Sequence, residues 1–200
     1  MMRRIVVFRF FPLVLTLLAC SSPPRVRYYL LRPPEGERST TESRTGYLLS
    51  VGRFAIDPAY GGSRLVYQTS PYELAFYNYH QWASPPEEQV RRVLALHLER
   101  SGLFREVLLT PGAPRGEYLL TGEIRRLCEE DEGEHWYASL VLALQVVRTG
   151  DGKVIWSRVF RKRVPAENRS PVGIVRALSE ALDQVAQELV DELGRTLADR

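Results

Sequence analysis

Side chains that could perform acid-base or metal chemistry are scattered along this 200-residue sequence rather than grouped. Its three histidines, His80, His97 and His135, stand far apart, and no two of them have the H-x-x-x-H spacing of a metal site. The sequence also lacks a P-loop, a G-x-S-x-G elbow and a G-x-G-x-x-G turn. We therefore expect no catalytic residue, no metal, no cofactor and no enzymatic activity.

One acidic run, residues 129–135, is dense enough to attract a cation. Its order, Glu-Glu-Asp-Glu-Gly-Glu-His, lacks the regular alternation of ligands in an EF-hand loop, so we expect a solvated turn between two strands instead. Neither Glu123 nor Glu134 has a neighbour that marks an acid-base pair. An enzyme with an unrecognised carboxylate site stays open as a further class of function.

Seven aromatic residues crowd into the 23 positions from 60 to 82. In an extended chain the side chains alternate, so Tyr72, Phe76 and His80 share one face while Tyr77 and Tyr79 share the other. One face should enter the core. The other is either a second buried face or a surface for a protein partner, where tyrosine and tryptophan are enriched. The predicted partner-binding residues are Tyr60, Tyr67, Tyr77, Tyr79 and Trp82.

Trp82 differs from the other aromatic residues because it stands just before a predicted helix. At that position its ring is suited to pack against the first turn as a hydrophobic staple. Tyr67, Tyr77 and Tyr79 are therefore the better interface candidates.

Alternating apolar residues and turn signals predict eight strands. The tetrapeptide 149–152, Thr-Gly-Asp-Gly, predicts a hairpin between the last two. The strand that begins at Tyr137 is apolar at odd and even positions, so we expect it to be central and covered on both faces. The predicted strands are Tyr28–Leu31, Tyr47–Ile56, Leu65–Gln68, Tyr72–Tyr77, Val107–Leu109, Tyr118–Leu127, Tyr137–Arg148 and Val154–Val164.

Two helices are predicted from their caps and from apolar residues at helical spacing. Ser84 is placed to cap the first, with Pro85 at its first position, and Gly102 is placed to end it. The second runs from about Pro171 to Leu197 after a Ser170 cap and has a long apolar stripe. Strands with interspersed helices indicate an α/β fold, a single domain in which helices pack on a mixed sheet.

The first nineteen residues have the composition of a secretion signal. Three arginines precede an apolar run, residues 10–19, which is shorter than the roughly 20 residues of a membrane span. The run ends in Leu17-Leu18-Ala19-Cys20, which resembles the lipobox cut before an acylated cysteine. The alternative is an ordinary signal with a chance cysteine. We predict a signal peptide at 1–19, a tether at 20–27 lipidated on Cys20, and one domain at 28–200.

The residue after this cysteine and the charge balance limit the possible partners. Ser21 stands where inner-membrane lipoproteins usually carry aspartate, so the resemblance favours an outer-membrane anchor facing the periplasm. Without residues 1–19 the chain has 24 basic and 24 acidic residues, and this neutral balance gives no argument for nucleic acid. Cys128 is the second of two cysteines, and we expect a small buried hydrophobe rather than a reactive thiol.

Five segments together carry a family resemblance: Tyr28–Leu30, Phe54–Tyr60, Arg64–Tyr67, Tyr79–Ala83 and Ser101–Phe104. They resemble the ABC-type transport auxiliary lipoproteins, the PqiC-like family. The resemblance implies a compact α/β domain with a mixed sheet, similar to an anticodon-binding domain or to the N-terminal domain of TolB. It also implies partners, an MCE-domain protein with an ABC permease and ATPase, and it leaves homo-oligomers open.

Two functions follow from this resemblance and from the predicted anchor. The first is an auxiliary or docking subunit, held on the outer membrane, of an MCE-type ABC system that moves phospholipids or other hydrophobic molecules. The runner-up is an envelope-assembly lipoprotein that helps to insert lipopolysaccharide or another outer-membrane component.

Overall fold

Eight strands and two helices follow one another in the part of the chain that the computed structural model describes, residues 24–33, 45–110, 112 and 114–198. The predicted signal peptide and Cys20 lie outside these residues. The elements are β1 (Arg27–Tyr29), β2 (Leu48–Ile56), β3 (Arg64–Ser70), β4 (Glu73–Trp82), α1 (Pro86–Arg100), β5 (Glu106–Leu109), β6 (Tyr118–Glu132), β7 (His135–Arg148), β8 (Val154–Pro165) and α2 (Pro171–Ala198).

One edge of β6 is shared by two branches of the sheet. Its first half pairs in parallel with β2, where Val51 stands opposite Leu120, and β2 in turn pairs in parallel with β5. Its second half pairs in parallel with β3, where Tyr67 stands opposite Glu129. β3 then pairs antiparallel with β4, and β4 pairs in parallel with β1.

The other edge of β6 pairs antiparallel with β7, and β7 pairs antiparallel with β8. Gly152, at the β7–β8 turn, has a φ of +71°, a left-handed conformation that glycine adopts without strain. The predicted hairpin and the predicted mixed sheet are both confirmed.

Both helices pack on the same face of the sheet. Helix α2 contacts β7 and β8, α1 contacts β2 and β5, and the two helices contact each other. The hydroxyl of Ser170 accepts a 3.1 Å hydrogen bond from the Gly173 amide, so the predicted cap of α2 is confirmed. The predicted stripe of α2 is buried as well, and it consists of Ile174, Leu178, Leu182, Val185, Leu189 and Leu193.

The expectation that both faces of β7 are covered is wrong. Its even positions from Ala138 to Val146 are buried beneath α2. On the other face Val141 and Ala143 are half-buried and Gln145 is exposed, because neither α1 nor α2 covers that face. An antiparallel sheet can leave one face in water, and apolar residues at odd positions do not by themselves require a second layer.

The expectation that Ser84 caps α1 is also wrong. Pro85 is the cap residue, with φ −49° and ψ 128°, and Pro86 takes the first helical position. Proline disfavours the helical conformation of the residue before it, so Pro86 holds Pro85 extended. At the other end, Gly102 follows the helix with a φ of +65°, which confirms its predicted role.

Among the described residues, no helix is both long enough and apolar enough to cross a bilayer.

Gly122 of β6 provides space for two large side chains of the core. A Cβ atom at this position would lie 2.8 Å from Cε2 of Phe54 and 2.7 Å from Cδ2 of Leu144, both of which are buried. The side chains of Phe54 from β2 and Leu144 from β7 therefore pack over Gly122, which has no side chain of its own.

Gly122→Ala should destabilise the protein because overpacking a dense core typically costs about 1–3 kcal/mol. The measurement is urea unfolding followed by tryptophan fluorescence. Gly62→Ala is the matched control, since a Cβ atom there would meet nothing within 4 Å. Equal unfolding midpoints for the two variants would show that Gly122 is not a packing constraint.

Candidate partner-binding surface

An irregularity in the pairing of β4 with β3 brings His80 to the same side as Tyr77. Arg64 of β3 pairs with Gln81 of β4, and Val66 pairs with Phe76. An advance of two residues along β3 therefore corresponds to five residues along β4. The extra residues interrupt the alternation of side chains, and the rings of Tyr77 and His80 lie together with centroids 5.3 Å apart. The sequence-based faces, which placed these two rings on opposite sides, are therefore wrong.

Tyr29, Tyr67, Tyr77 and His80 form an aromatic cluster between β1, β3 and β4. Ring centroids lie 5.0 Å apart for Tyr67 and Tyr77 and 5.6 Å apart for Tyr29 and His80. The Tyr29 hydroxyl is 2.7 Å from Nδ1 of His80. Burial, together with the charge of Arg27, lowers the pKa of His80, so its imidazole is neutral at neutral pH.

The carboxylate of Glu129 in β6 connects this cluster to the centre of the sheet. Its side chain is only 1% exposed, and Oε2 accepts a 2.8 Å hydrogen bond from the Tyr77 hydroxyl. Burial raises the pKa of Glu129, and repulsion from Asp131 acts in the same direction, while the Tyr77 hydrogen bond and Arg169 oppose the shift. Burial and the nearby carboxylate raise the pKa of Tyr77, which stays protonated and donates.

The acidic run that contains Glu129 is only partly a turn. Strand β6 continues to Glu132, so the expected solvated turn is wrong for the first half of the run. Glu130 lies 2.8 Å from both Arg126 and Arg163. Arginine side chains therefore neutralise much of the negative charge of the run. No group of three His, Cys, Asp or Glu side chains in the described ranges could hold a metal ion.

Cys128, the neighbour of Glu129 in β6, is 1% exposed. Burial raises the pKa of its thiol to about 12, so the nucleophilic thiolate is scarce at neutral pH. The prediction of a small buried hydrophobe rather than a reactive thiol is confirmed.

The five predicted partner-binding residues have different environments. Tyr60 and Trp82 are 8% and 5% exposed and pack in the hydrophobic core. Tyr67 and Tyr77 are half-buried in the aromatic cluster, whereas Tyr79 is 45% exposed. The rings of Tyr60 and Trp82 are thus unavailable on the surface of the domain, and a partner-binding role stays a prediction for all five.

Sequence reasoning did not select two exposed rings of the same hairpin. Tyr72, in the β3–β4 turn, is 99% exposed, and Phe76 is 40% exposed with the Arg64 guanidinium 4.8 Å from its ring centroid. Alternation in the sequence does not show which face of β4 packs inward, and Phe76 lies on the face that is more exposed. We call Tyr72, Phe76 and Tyr79 the exposed aromatic surface.

Glu129→Gln keeps an acceptor for Tyr77 and removes the buried negative charge. Because folding raises the pKa of Glu129, its contribution to stability is present at low pH and lost as the pH rises through that raised pKa. Glu129→Gln has no carboxyl group to ionise at this position, so its stability does not fall in this way as the pH rises. We expect its free energy of unfolding, relative to wild type, to increase by about 1 kcal/mol between acid and neutral pH.

Urea unfolding at a series of pH values measures this difference. Glu123→Gln on the same strand is the control, since this side chain is 49% exposed, and its curve should run parallel to that of wild type. A Glu129→Gln curve that also runs parallel to wild type would contradict the account of the buried carboxylate.

Two solved structures have folds similar to that of this chain. The solved structure of a protein from Xanthomonas campestris has a TM-score of 0.74 and 21% identity, covering 85% of this chain and 96% of that one. A second solved structure, described only as an uncharacterised protein, has a TM-score of 0.69 and 19% identity, covering 85% and 99%. These two likenesses establish the fold.

A search of curated proteins finds no match. A family model, described as the ABC-type transport auxiliary lipoprotein component, matches residues 28–190. This match spans the sheet, α1 and most of α2. The chain therefore belongs to the ABC-type transport auxiliary lipoprotein family.

Proposed function

We propose that this protein is a periplasmic lipoprotein anchored in the outer membrane. In this proposal it serves as a docking subunit of an MCE-type ABC transport system for phospholipids or other hydrophobic molecules. Family membership supports the link to ABC-type transport. The lipobox that ends at Cys20 and the serine that follows it support the anchor and its address.

The exposed aromatic surface is the observation that carries the docking role. Tyr72, Phe76 and Tyr79 project from one hairpin with exposures of 99%, 40% and 45%. Aromatic residues are enriched at protein interfaces, and their rings dominate binding hot spots. The Tyr77–Glu129 hydrogen bond fixes the hairpin on β6. A partner therefore meets a surface that is already ordered, which lowers the entropic cost of binding.

We assign this protein no catalytic step. ATP hydrolysis belongs to the ATPase of the transporter, because this chain lacks the P-loop that would cradle phosphates. The domain would act by linking the outer membrane to the MCE-domain protein.

Cys20→Ser should give a protein that folds but carries no acyl chain. The reason is that Cys20 ends the lipobox and Ser offers no thiol for acylation. The measurement is metabolic labelling with a radioactive fatty acid. Cys128→Ala is the matched control and should keep the label, since that thiol is buried in β6. Label retained by Cys20→Ser, or lost in Cys128→Ala, would contradict the anchor.

Phe76→Ala and Tyr79→Ala should weaken binding of the MCE-domain partner by about 2 kcal/mol each, as hot-spot truncations do, with little change in melting temperature. Tyr60→Ala and Trp82→Ala should instead lower stability by about 3–5 kcal/mol, because their rings are in the core. Thermal unfolding and partner binding are measured on the same four variants.

The identity of the partner separates the two proposed classes of function. Co-purification of the lipidated protein from membranes should recover an MCE-domain protein together with ABC subunits. Recovery of outer-membrane assembly components instead would favour the envelope-assembly function. Binding that is unchanged in Phe76→Ala and Tyr79→Ala would reject the exposed aromatic surface as the docking site.

A further inference from the structure

A stripe of apolar side chains lies on the outer side of the first described segment. Val26, Tyr28 and Leu30 are 40%, 65% and 54% exposed. Tyr29 and Leu31, which alternate with them, are only 9% and 6% exposed. A strand with one face in water normally carries polar residues on that face. Three successive apolar residues at outward positions indicate that this side of the segment contacts another apolar surface.

Helix α2 extends the stripe across a groove. Val172 is 52% exposed and, with Tyr28 and Leu30, borders an open groove of about 600 Å³ that Val175 also lines. The backbone amide of Arg32 donates a 3.1 Å hydrogen bond to the Ser179 hydroxyl of α2, which holds the two walls together. We call Val26, Tyr28, Leu30 and Val172 the N-terminal patch.

The border of this patch is cationic. Arg32 is exposed, continues the alternation of Val26, Tyr28 and Leu30, and lines the groove, and residues 24–33 contain no acidic residue. Arg176 lines the groove on the side of α2 and pairs with Glu167. Apolar side chains bordered by arginines are complementary to a bilayer surface with anionic headgroups, which attract cationic side chains.

The predicted anchor places the patch near a bilayer. Val26 is six residues after Cys20. An extended chain spans at most about 3.3–3.6 Å per residue, so Val26, at the near end of the patch, stays within roughly 20 Å of an acylated Cys20. Contact with the bilayer is then effectively intramolecular, which adds to the affinity that the patch itself has for a free bilayer.

We infer that the N-terminal patch docks on the phospholipid bilayer that holds the anchor, with its apolar side chains at the interface and its arginines at the lipid phosphates. The amphipathic ring of Tyr28 suits this position, as tyrosine is enriched at membrane interfaces. Docking orients the domain on the membrane instead of leaving it free on a flexible tether. The inference rests on the proposed function for the anchor alone and does not require the transporter.

Flotation with lipid vesicles tests the patch without the acyl chain. The processed chain from residue 20, carrying Cys20→Ser, is mixed with vesicles of phosphatidylethanolamine and phosphatidylglycerol in a 3:1 ratio. We expect this protein to float with the vesicles. Tyr28→Ser with Leu30→Ser should reduce the affinity about tenfold or more, because apolar burial drives interfacial binding. Arg32→Gln with Arg176→Gln should weaken binding and reduce its dependence on salt, since both arginines line the groove.

Two further variants control for folding and for exposed apolar residues elsewhere. Val172→Ser removes an apolar side chain of the patch that belongs to α2, and it should also weaken vesicle binding. This variant tests the patch even if Tyr28→Ser with Leu30→Ser does not fold. Tyr72→Ser with Leu109→Ser removes a tyrosine and a leucine that are 99% and 43% exposed outside the patch, and should bind vesicles like wild type. Thermal unfolding of each variant establishes that it folds.

Three results would overturn the docking inference. One is a Cys20→Ser chain that does not float, and another is flotation that the patch variants leave unchanged. The third is a chain that forms dimers in solution and becomes monomeric in the patch variants, which would assign the patch to a second copy. A Cys20 without fatty acid would reject the anchor but would not alter vesicle binding, so the two failures are distinguishable.

Discussion

The pairing of β6 with three other strands is the constraint on which the rest of the fold depends. Its first half carries β2, and through β2 the edge strand β5 and the helix α1. Its second half carries the β3–β4 hairpin and, through β4, the N-terminal strand β1. The pairing with β7 shifts register between Ile124 and Arg126, where the two halves meet. Such irregularities increase local twist, which lets two branches diverge from one strand edge.

A buried hydrogen bond specifies how the hairpin sits on β6. A carboxylate without a partner in the protein interior is costly, so Glu129 favours the one register in which the Tyr77 hydroxyl reaches it. A slip of one residue would turn Tyr77 to the other face of the sheet and leave the carboxylate unpaired. The aromatic cluster and the exposed aromatic surface therefore take their positions from a polar contact in an otherwise apolar setting.

The features that sequence analysis predicted correctly are those set by neighbouring residues. Ser170 caps α2 and Gly102 ends α1 because cap geometry involves a few adjacent backbone groups. The β7–β8 hairpin was predictable from its turn for the same reason. One local signal was misplaced, since Pro86 forces Pro85 rather than Ser84 into the cap position.

The remaining errors concern contacts between distant segments. The bulge in β4 arises from its pairing with β3, and it brings His80 beside Tyr77, whose hydroxyl reaches Glu129, 52 residues later in the chain. The open face of β7 likewise depends on where both helices pack, which apolar residues on that strand do not reveal. Aromatic density therefore predicted the segment that forms the candidate surface but not which of its rings reach solvent.

We propose that one small domain joins a bilayer to a protein partner through two separate surfaces. Tyr28 belongs to the N-terminal patch and Phe76 to the exposed aromatic surface, and both rings are accessible, at 65% and 40% exposure. A photo-crosslinking amino acid placed at either position in the acylated protein, and activated in living cells, tests this claim directly. We expect phospholipid adducts from position 28 and adducts to an MCE-domain protein from position 76. Crosslinks from both positions to the same protein, or to lipid alone, would contradict it.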